Sequence, residues 1–254
     1  IIFDASDTSV DGGAGTDTVS YAGVGSSVSV DLQAGTATGH GNDTLSNFEN
    51  IIGGNNADIL VGDTGVNSIQ GGAGDDILEG GAGNDTLDGG AGGTDTASYT
   101  NGTEGANINM GTGVVSNDGY GNSDTLIDIE RVEGTNFADT IVGSANNDTI
   151  ISNSGNDTIT AGDGNDTINA GLGNDTIFAG AGNDNINGGG GVDTINYSAA
   201  TGAVTVNLQN STASNDGFGD ADTINGVENV VGSAQNDTIG GDTGDNNLDG
   251  GAGT

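Results

Sequence analysis

Aspartate returns every nine residues along much of this chain. From Asp139 it recurs at Asp148, Asp157, Asp166, Asp175, Asp184 and Asp193. Two positions after each Asp stands an isoleucine: Ile141, Ile150, Ile159, Ile168, Ile177, Ile186 and Ile195. An earlier run has the same form. Gly71-Gly-Ala-Gly-Asp-Asp76-Ile-Leu78-Glu leads directly into Gly80-Gly-Ala-Gly-Asn-Asp85-Thr-Leu87-Asp. Asp58 opens that run, Asn67 replaces its second acid, and Asp95 closes it after one inserted residue. Further copies occur at Asp17 and Asp237. A fixed short period marks a repeat architecture, in which each unit buries its apolar face by stacking on its neighbours.

The repeat reads Gly-Gly-x-Gly-x-Asp-x-aliphatic-x, and each part has a physical role. Glycine takes the positive φ angles that a tight turn demands. The Asp-x-aliphatic-x half reads as a short strand, its aliphatic inward and its neighbours outward. Thr149, Thr158, Thr167 and Thr176 follow the Asp residues, and threonine suits a half-exposed pleated surface. Two nonapeptides make one coil of 18 residues. Asp148 then stacks over Asp166, and Asp157 over Asp175, at the strand spacing of about 4.8 Å. Bare carboxylates so close repel one another. A hard divalent cation between turns reverses the sign. Ca2+ takes about six to eight oxygens, which carboxylates and turn carbonyls supply, whereas Mg2+ prefers a rigid octahedron with retained waters. No His/Cys cluster invites zinc or copper.

The acids are not balanced by bases. The 254 residues hold 37 Asp and Glu against 1 Lys or Arg, for a formal net charge of −36. Nucleic-acid backbones and anionic membranes repel such a surface. No apolar run approaches the roughly 18 residues of a transmembrane helix, and no signal-peptide pattern opens the sequence. The absence of cysteine excludes disulfides and thiolate metal sites. Without metal, so acidic a chain with few aromatics reads as disordered. The metal therefore has to supply folding energy. One ion per stacked Asp pair gives on the order of ten Ca2+.

The nonapeptide resembles the RTX (repeats-in-toxin) calcium-binding repeat nearly letter for letter, over more than half the chain. The resemblance implies an all-β fold, a right-handed parallel β-roll (a β-solenoid), with Ca2+ in the turns. It also implies a secreted or cell-surface bacterial protein, such as an adhesin or S-layer-like protein. Type I secretion, through a one-step channel that reads a C-terminal signal, is typical of the family. Low cytoplasmic Ca2+ would keep the chain unfolded for export, and millimolar Ca2+ outside would fold it.

A longer repeat lies over the short one. Three segments share Asp-Thr-x-x-Tyr at Tyr21, Tyr99 and Tyr197, then a β-like stretch, then Asp-Thr-aliphatic at Asp43, Asp124 and Asp222. Six residues after those acids come Glu49, Glu130 and Glu228, each nine residues before the next repeat Asp. The glutamates therefore occupy the acid position of the nine-residue frame. The segments read as three wider inserted coils with larger loops, with the tyrosines packed beneath them. They resemble cassettes of very large RTX surface proteins. The whole reads as one elongated β-roll over 1–254, with sub-units 1–95, 96–193 and 194–254. The chain starts in Ile1-Ile-Phe and stops at Gly250-Gly-Ala-Gly-Thr254 without a capping pattern, which suggests part of a longer protein. The expected Ca2+ ligands are Asp17, Asp43, Asp58, Asp76, Asp85, Asp95, Asp124, Asp139, Asp148, Asp157, Asp166, Asp175, Asp184, Asp193, Asp222 and Asp237.

Catalysis is not expected. His40 is the one histidine and reads as an exposed turn residue, and Arg131 reads as a surface partner of Glu130 or another acid. Lyases on β-helices need a base that this chain hardly supplies, and the repeat already accounts for its carboxylate pairs. Gly-Gly-x-Gly lacks the Lys and helix of a phosphate loop. Asn84-Asp85-Thr86 matches a glycosylation sequon but is the repeat itself. The leading role is a calcium-stiffened structural module of a surface protein. The alternative is an accessory polysaccharide-binding module, for which Tyr120, Phe178 and Phe218 offer the exposed aromatics. A threonine-rich ice- or surface-binding face is less favoured, because its second outward row is irregular. End-to-end self-association through solenoid edges is a further partner expectation.

Overall fold

The computed structural model describes residues 9–253, so the apolar start Ile1–Phe3 and Thr254 lie outside the described residues. Secondary structure is almost wholly β, apart from one 3-10 turn at Leu208–Asn210. Most strands are three residues long with the middle side chain buried, as in Thr149–Ile151 and Thr167–Asn169. That pattern follows from the repeat. One inward aliphatic per nine residues leaves room for a short strand, and glycine turns carry the chain to the opposite sheet.

The chain forms two compact units, Ile1–Gly102 with Gly113–Val132, and Thr103–Thr112 with Glu133–Thr254. In the first, parallel strands bring Val19, Ile51, Ile69 and Leu87 into register in one sheet, and Val30, Leu60 and Leu78 in the other. In the second, Ile141, Ile159, Ile177 and Ile195 align in one sheet. Ile150, Ile168 and Ile186 align in the other. Successive members of these last two rows are 18 residues apart, the coil length read from the sequence. All seven isoleucines are at most 1% exposed, so the interior is a stack of identical aliphatic layers between two sheets. This is the expected β-roll.

The inserted segments differ from wide coils with loops. Ser29–Asp31, Thr36–Thr38 and Asn42–Ser46 form an antiparallel meander within one sheet of the first unit. Thr205–Asn207, Thr212–Asn215 and Asp222–Asn225 do the same in the second. The physical reason is connection length. A parallel neighbour needs a crossover, whereas an antiparallel one needs only a tight turn. Positive φ at Gly35 and Ser211 makes those turns. Tyr21, Tyr99 and Tyr197 are buried, as expected.

Candidate metal centre

Each ladder carboxylate does two things at once. Inside the runs its Oδ1 accepts the backbone N–H of the acid-position residue one coil earlier, whereas at Asp58, Asp139 and Asp237, which begin runs, Oδ1 accepts the N–H of Val28, Ala106 and Val204. Asp139 donates to Asp157, Asp157 to Asp175 and Asp148 to Asp166, each at 2.8 Å. Asp166 donates to Asp184 at 2.8 Å. In the first unit Asp58 donates to Asp76, and Asp76 to Asp95, also at 2.8 Å. The pairs 18 residues apart are therefore brought together as the period requires. Asp124 and Asp222 join the same ladders, accepting from Asp85 and Asp184.

The second oxygen divides the turns into two kinds. At Asp58, Asp139, Asp148 and Asp237, Oδ2 accepts the N–H of the residue four earlier: Gly54, Thr135, Ser144 and Ser233. These carboxylates close their own turns. At Asp17, Asp76, Asp85, Asp157, Asp166, Asp175, Asp184 and Asp193, Oδ2 is buried with no hydrogen-bond partner. In most of these latter turns the residue four before the Asp is a glycine at positive φ, such as Gly72, Gly81, Gly162, Gly171, Gly180 or Gly189. Asn153 takes that conformation before Asp157 at φ 69°. The positive φ swings the N–H away from the carboxylate. A side chain at Gly180 would overlap the Gly162 carbonyl, and one at Gly173 the Gly155 carbonyl. Turn carbonyls of successive coils therefore lie close along the stack.

A buried carboxylate oxygen without a proton donor is costly. Burial first, and nearby carboxylates second, push Asp76, Asp85, Asp157 and Asp193 up to about 6. The same causes raise Asp124, Asp166 and Asp222 to about 7. The donor set is all oxygen, which fits a hard cation. Among the described residues no three acidic, His or Cys side chains form a ready-made cage. Any ion in these turns therefore takes part of its shell from backbone oxygens.

Four copies of the RTX calcium-binding nonapeptide repeat match the chain, at residues 61–95, 133–168, 160–195 and 222–254. Together they span just over half of its length. The chain belongs to the RTX calcium-binding repeat family. As a member it is a Ca2+-binding repeat module that takes several ions. No curated protein sequence matches it.

Other acidic and amide side chains also join the stack. Glu49, Glu130 and Glu228 extend the ladders by accepting the N–H groups of Asp17, Asp95 and Asp193. Their place in the nine-residue frame is legible in the sequence. Asp118 and Asp216, buried in the inserts, stood outside the frame. The recurring Asn-Asp-Gly-aromatic-Gly at 117–121 and 215–219 is the signal that could have found them. The Asn before the ladder Asp also has a role. The Asn147 side chain accepts the Asn165 N–H, and Asn165 accepts that of Asn183. His40 is half-buried rather than exposed.

Proposed function

We propose that this chain is a structural module of a secreted or cell-surface bacterial protein, folded and stiffened by Ca2+ outside the cell. The observation that carries the reading is the row of buried, unpartnered carboxylate oxygens in the open glycine turns. Stacked anions without donors oppose the fold, and divalent cations convert them into cross-links between coils. Ions at Asp17, Asp76, Asp85, Asp157, Asp166, Asp175, Asp184 and Asp193 are the core of the proposal. Asp58, Asp139, Asp148 and Asp237 are instead turn caps, because an N–H already occupies Oδ2. Asn67 and Asn246 support this division. Both stand at the acid position, and both accept the N–H four residues earlier through Oδ1. An uncharged amide thus serves where no ion is held.

Low cytoplasmic Ca2+ would leave such a chain extended for export, and millimolar Ca2+ would fold it on arrival. A second reading, an accessory saccharide-binding module, draws on an apolar hollow of about 180 Å³ lined by Phe178, Tyr197, Ala200 and Phe218. That volume falls below the roughly 300 Å³ at which ligand pockets usually begin, so the structural reading stands first.

Far-UV circular dichroism during a Ca2+ titration, with Mg2+ as control, tests the leading reading. A cooperative coil-to-strand transition specific to Ca2+ is expected. Strand content that is the same in chelator as in millimolar Ca2+ would overturn it.

A further inference from the structure

The second and third inserts place an aromatic residue at the same point of their loops, in Asn117-Asp-Gly-Tyr120-Gly and Asn215-Asp-Gly-Phe218-Gly. Its surroundings differ in kind. In the second insert Tyr120 is tied down. Its hydroxyl donates to the Asn101 carbonyl at 2.7 Å, and the Asn101 side chain donates to Glu79 Oε1 at 2.7 Å. Glu79 ends the strand Ile77–Glu79, which pairs with Thr96–Ser98 just ahead of the loop. In the third insert all three positions are apolar. Phe218 stands for Tyr120, Ala199 for Asn101 and Phe178 for Glu79. Phe178 lies on Thr176–Ala181, which pairs with Thr194–Asn196 in the same way.

The exchange replaces a polar clasp with a hollow of about 180 Å³, lined by Thr160, Phe178, Asn196, Ala199, Ala200 and Phe218 among others. The hollow is preformed. The Phe218 N–H donates to Asp216 Oδ1 at 2.9 Å, and the Asn215 side chain donates to the Ala203 carbonyl at 2.9 Å. Gly217, at φ 85°, packs so close to Ala200 that a Cβ there would lie 2.7 Å from the alanine methyl. Among the described residues no charged side chain lines the hollow, in a chain of net charge −36. Its rim is polar but neutral. Thr160 is exposed. Asn196 Oδ1 accepts the Ser198 N–H at 2.9 Å, which leaves the amide NH2 to donate. Thr158, Thr176 and Thr194 align in register beside it.

We propose that this hollow is a subsite for one pyranose ring of a neutral polysaccharide, stacked on Phe178 and Phe218 and hydrogen-bonded by Thr160 and Asn196. Size, polarity and charge each point to that occupant. A cavity of roughly 150 Å³ takes a benzene molecule, so this one takes a single ring, and the rest of the glycan lies outside it. A pyranose presents an apolar C–H face and an edge of hydroxyls, which match aromatic walls with a few placed hydrogen-bonding groups. An aromatic side chain of a protein partner would cover the Thr160 and Asn196 groups without answering them. An acidic polysaccharide would meet the repulsion of the aspartate turns. The proposal rests on the saccharide-binding reading and names its ligand class. It is compatible with a structural role, because the opposite face of the same strands buries Ile159, Ile177 and Ile195 in the core.

An array of neutral and acidic saccharides, probed with the full chain in millimolar Ca2+, tests the site. Binding to neutral saccharides and not to acidic ones is expected. F218A should weaken it about tenfold or more, through loss of one stacking wall. The triple variant F178E/A199N/F218Y rebuilds the polar clasp of the second insert and should abolish binding, with the strand signal in Ca2+ retained. Neutral-saccharide binding that persists in both folded variants, or binding confined to acidic saccharides, overturns the subsite and leaves the saccharide-binding reading standing. A folded wild-type chain that binds no saccharide overturns both. Where the variants do not fold, crystals of the intact chain soaked with the neutral saccharide bound most strongly on the array decide. A ring against Phe178 and Phe218 supports the subsite, and a ring elsewhere rejects it.

Discussion

At the scale of single residues, one dipeptide carries the link between coils. In Asn165-Asp166 the two adjacent N–H groups point in opposite directions along the stack. Asn165 donates back to Asn147, and Asp166 donates forward to Asp184. The Asp was legible because its period is strict. The Asn was not, because it could be read as a variable position or as half of a sequon. Its role exists only when a coil lies on either side. The same holds for the fate of Oδ2. Asp148 and Asp166 are indistinguishable in the nine-residue frame, yet Ser144 donates to one while the other has a buried free oxygen. What separates them is the residue four earlier, Ser144 against Gly162 at φ 116°. Asp166→Asn should raise the Ca2+ concentration at the folding midpoint about tenfold or more, a loss typical of disturbed metal sites. Asp148→Asn should leave the midpoint within about twofold, since an amide oxygen accepts the same N–H. Parallel Ca2+ titrations of the two variants check the contrast.

At the scale of elements, the ladder couples folding to pH. The coils hold Asp76, Asp85, Asp157 and Asp193 at about 6, and Asp124, Asp166 and Asp222 at about 7. In an unfolded chain each returns to the ordinary value near 3.8. Between about pH 4 and pH 7 the folded coils therefore bind more protons than the unfolded chain, and their stability without Ca2+ falls as pH rises through that window. Ca2+ needs the same oxygens deprotonated, so its binding weakens as pH falls below about 7. In chelator, strand content should increase from pH 8 to pH 5. In Ca2+, the midpoint concentration should be higher at pH 5.5 than at pH 7.5. Circular dichroism across both series measures the two opposite slopes. The parallel coils themselves were readable from the 18-residue spacing. The meanders were not, because inserted residues preserve the alternation of a strand whichever way the chain runs. Only a partner strand fixes direction.

At the scale of the whole molecule, a net charge of −36 opposes the folded state by self-repulsion, which bound cations relieve. On the order of ten Ca2+ would remove roughly 20 of those charges. Composition made that need plain, and the family match names the ion. In the proposed reading, the placement of the ions follows the oxygens that the fold leaves without donors. The linkage between coils also has a mechanical meaning. In the run from Asp139 to Asp193 a coil pairs with the coils before and after it through short ladders. Load applied along the chain cannot spread over a broad core and falls on one seam at a time. In Ca2+, single-molecule pulling should give a sawtooth whose steps release about 60 Å, the length of 18 extended residues. In chelator the same chain should stretch smoothly. Such a stack would act as a row of resettable fuses, dissipating work coil by coil and re-forming when the load is removed.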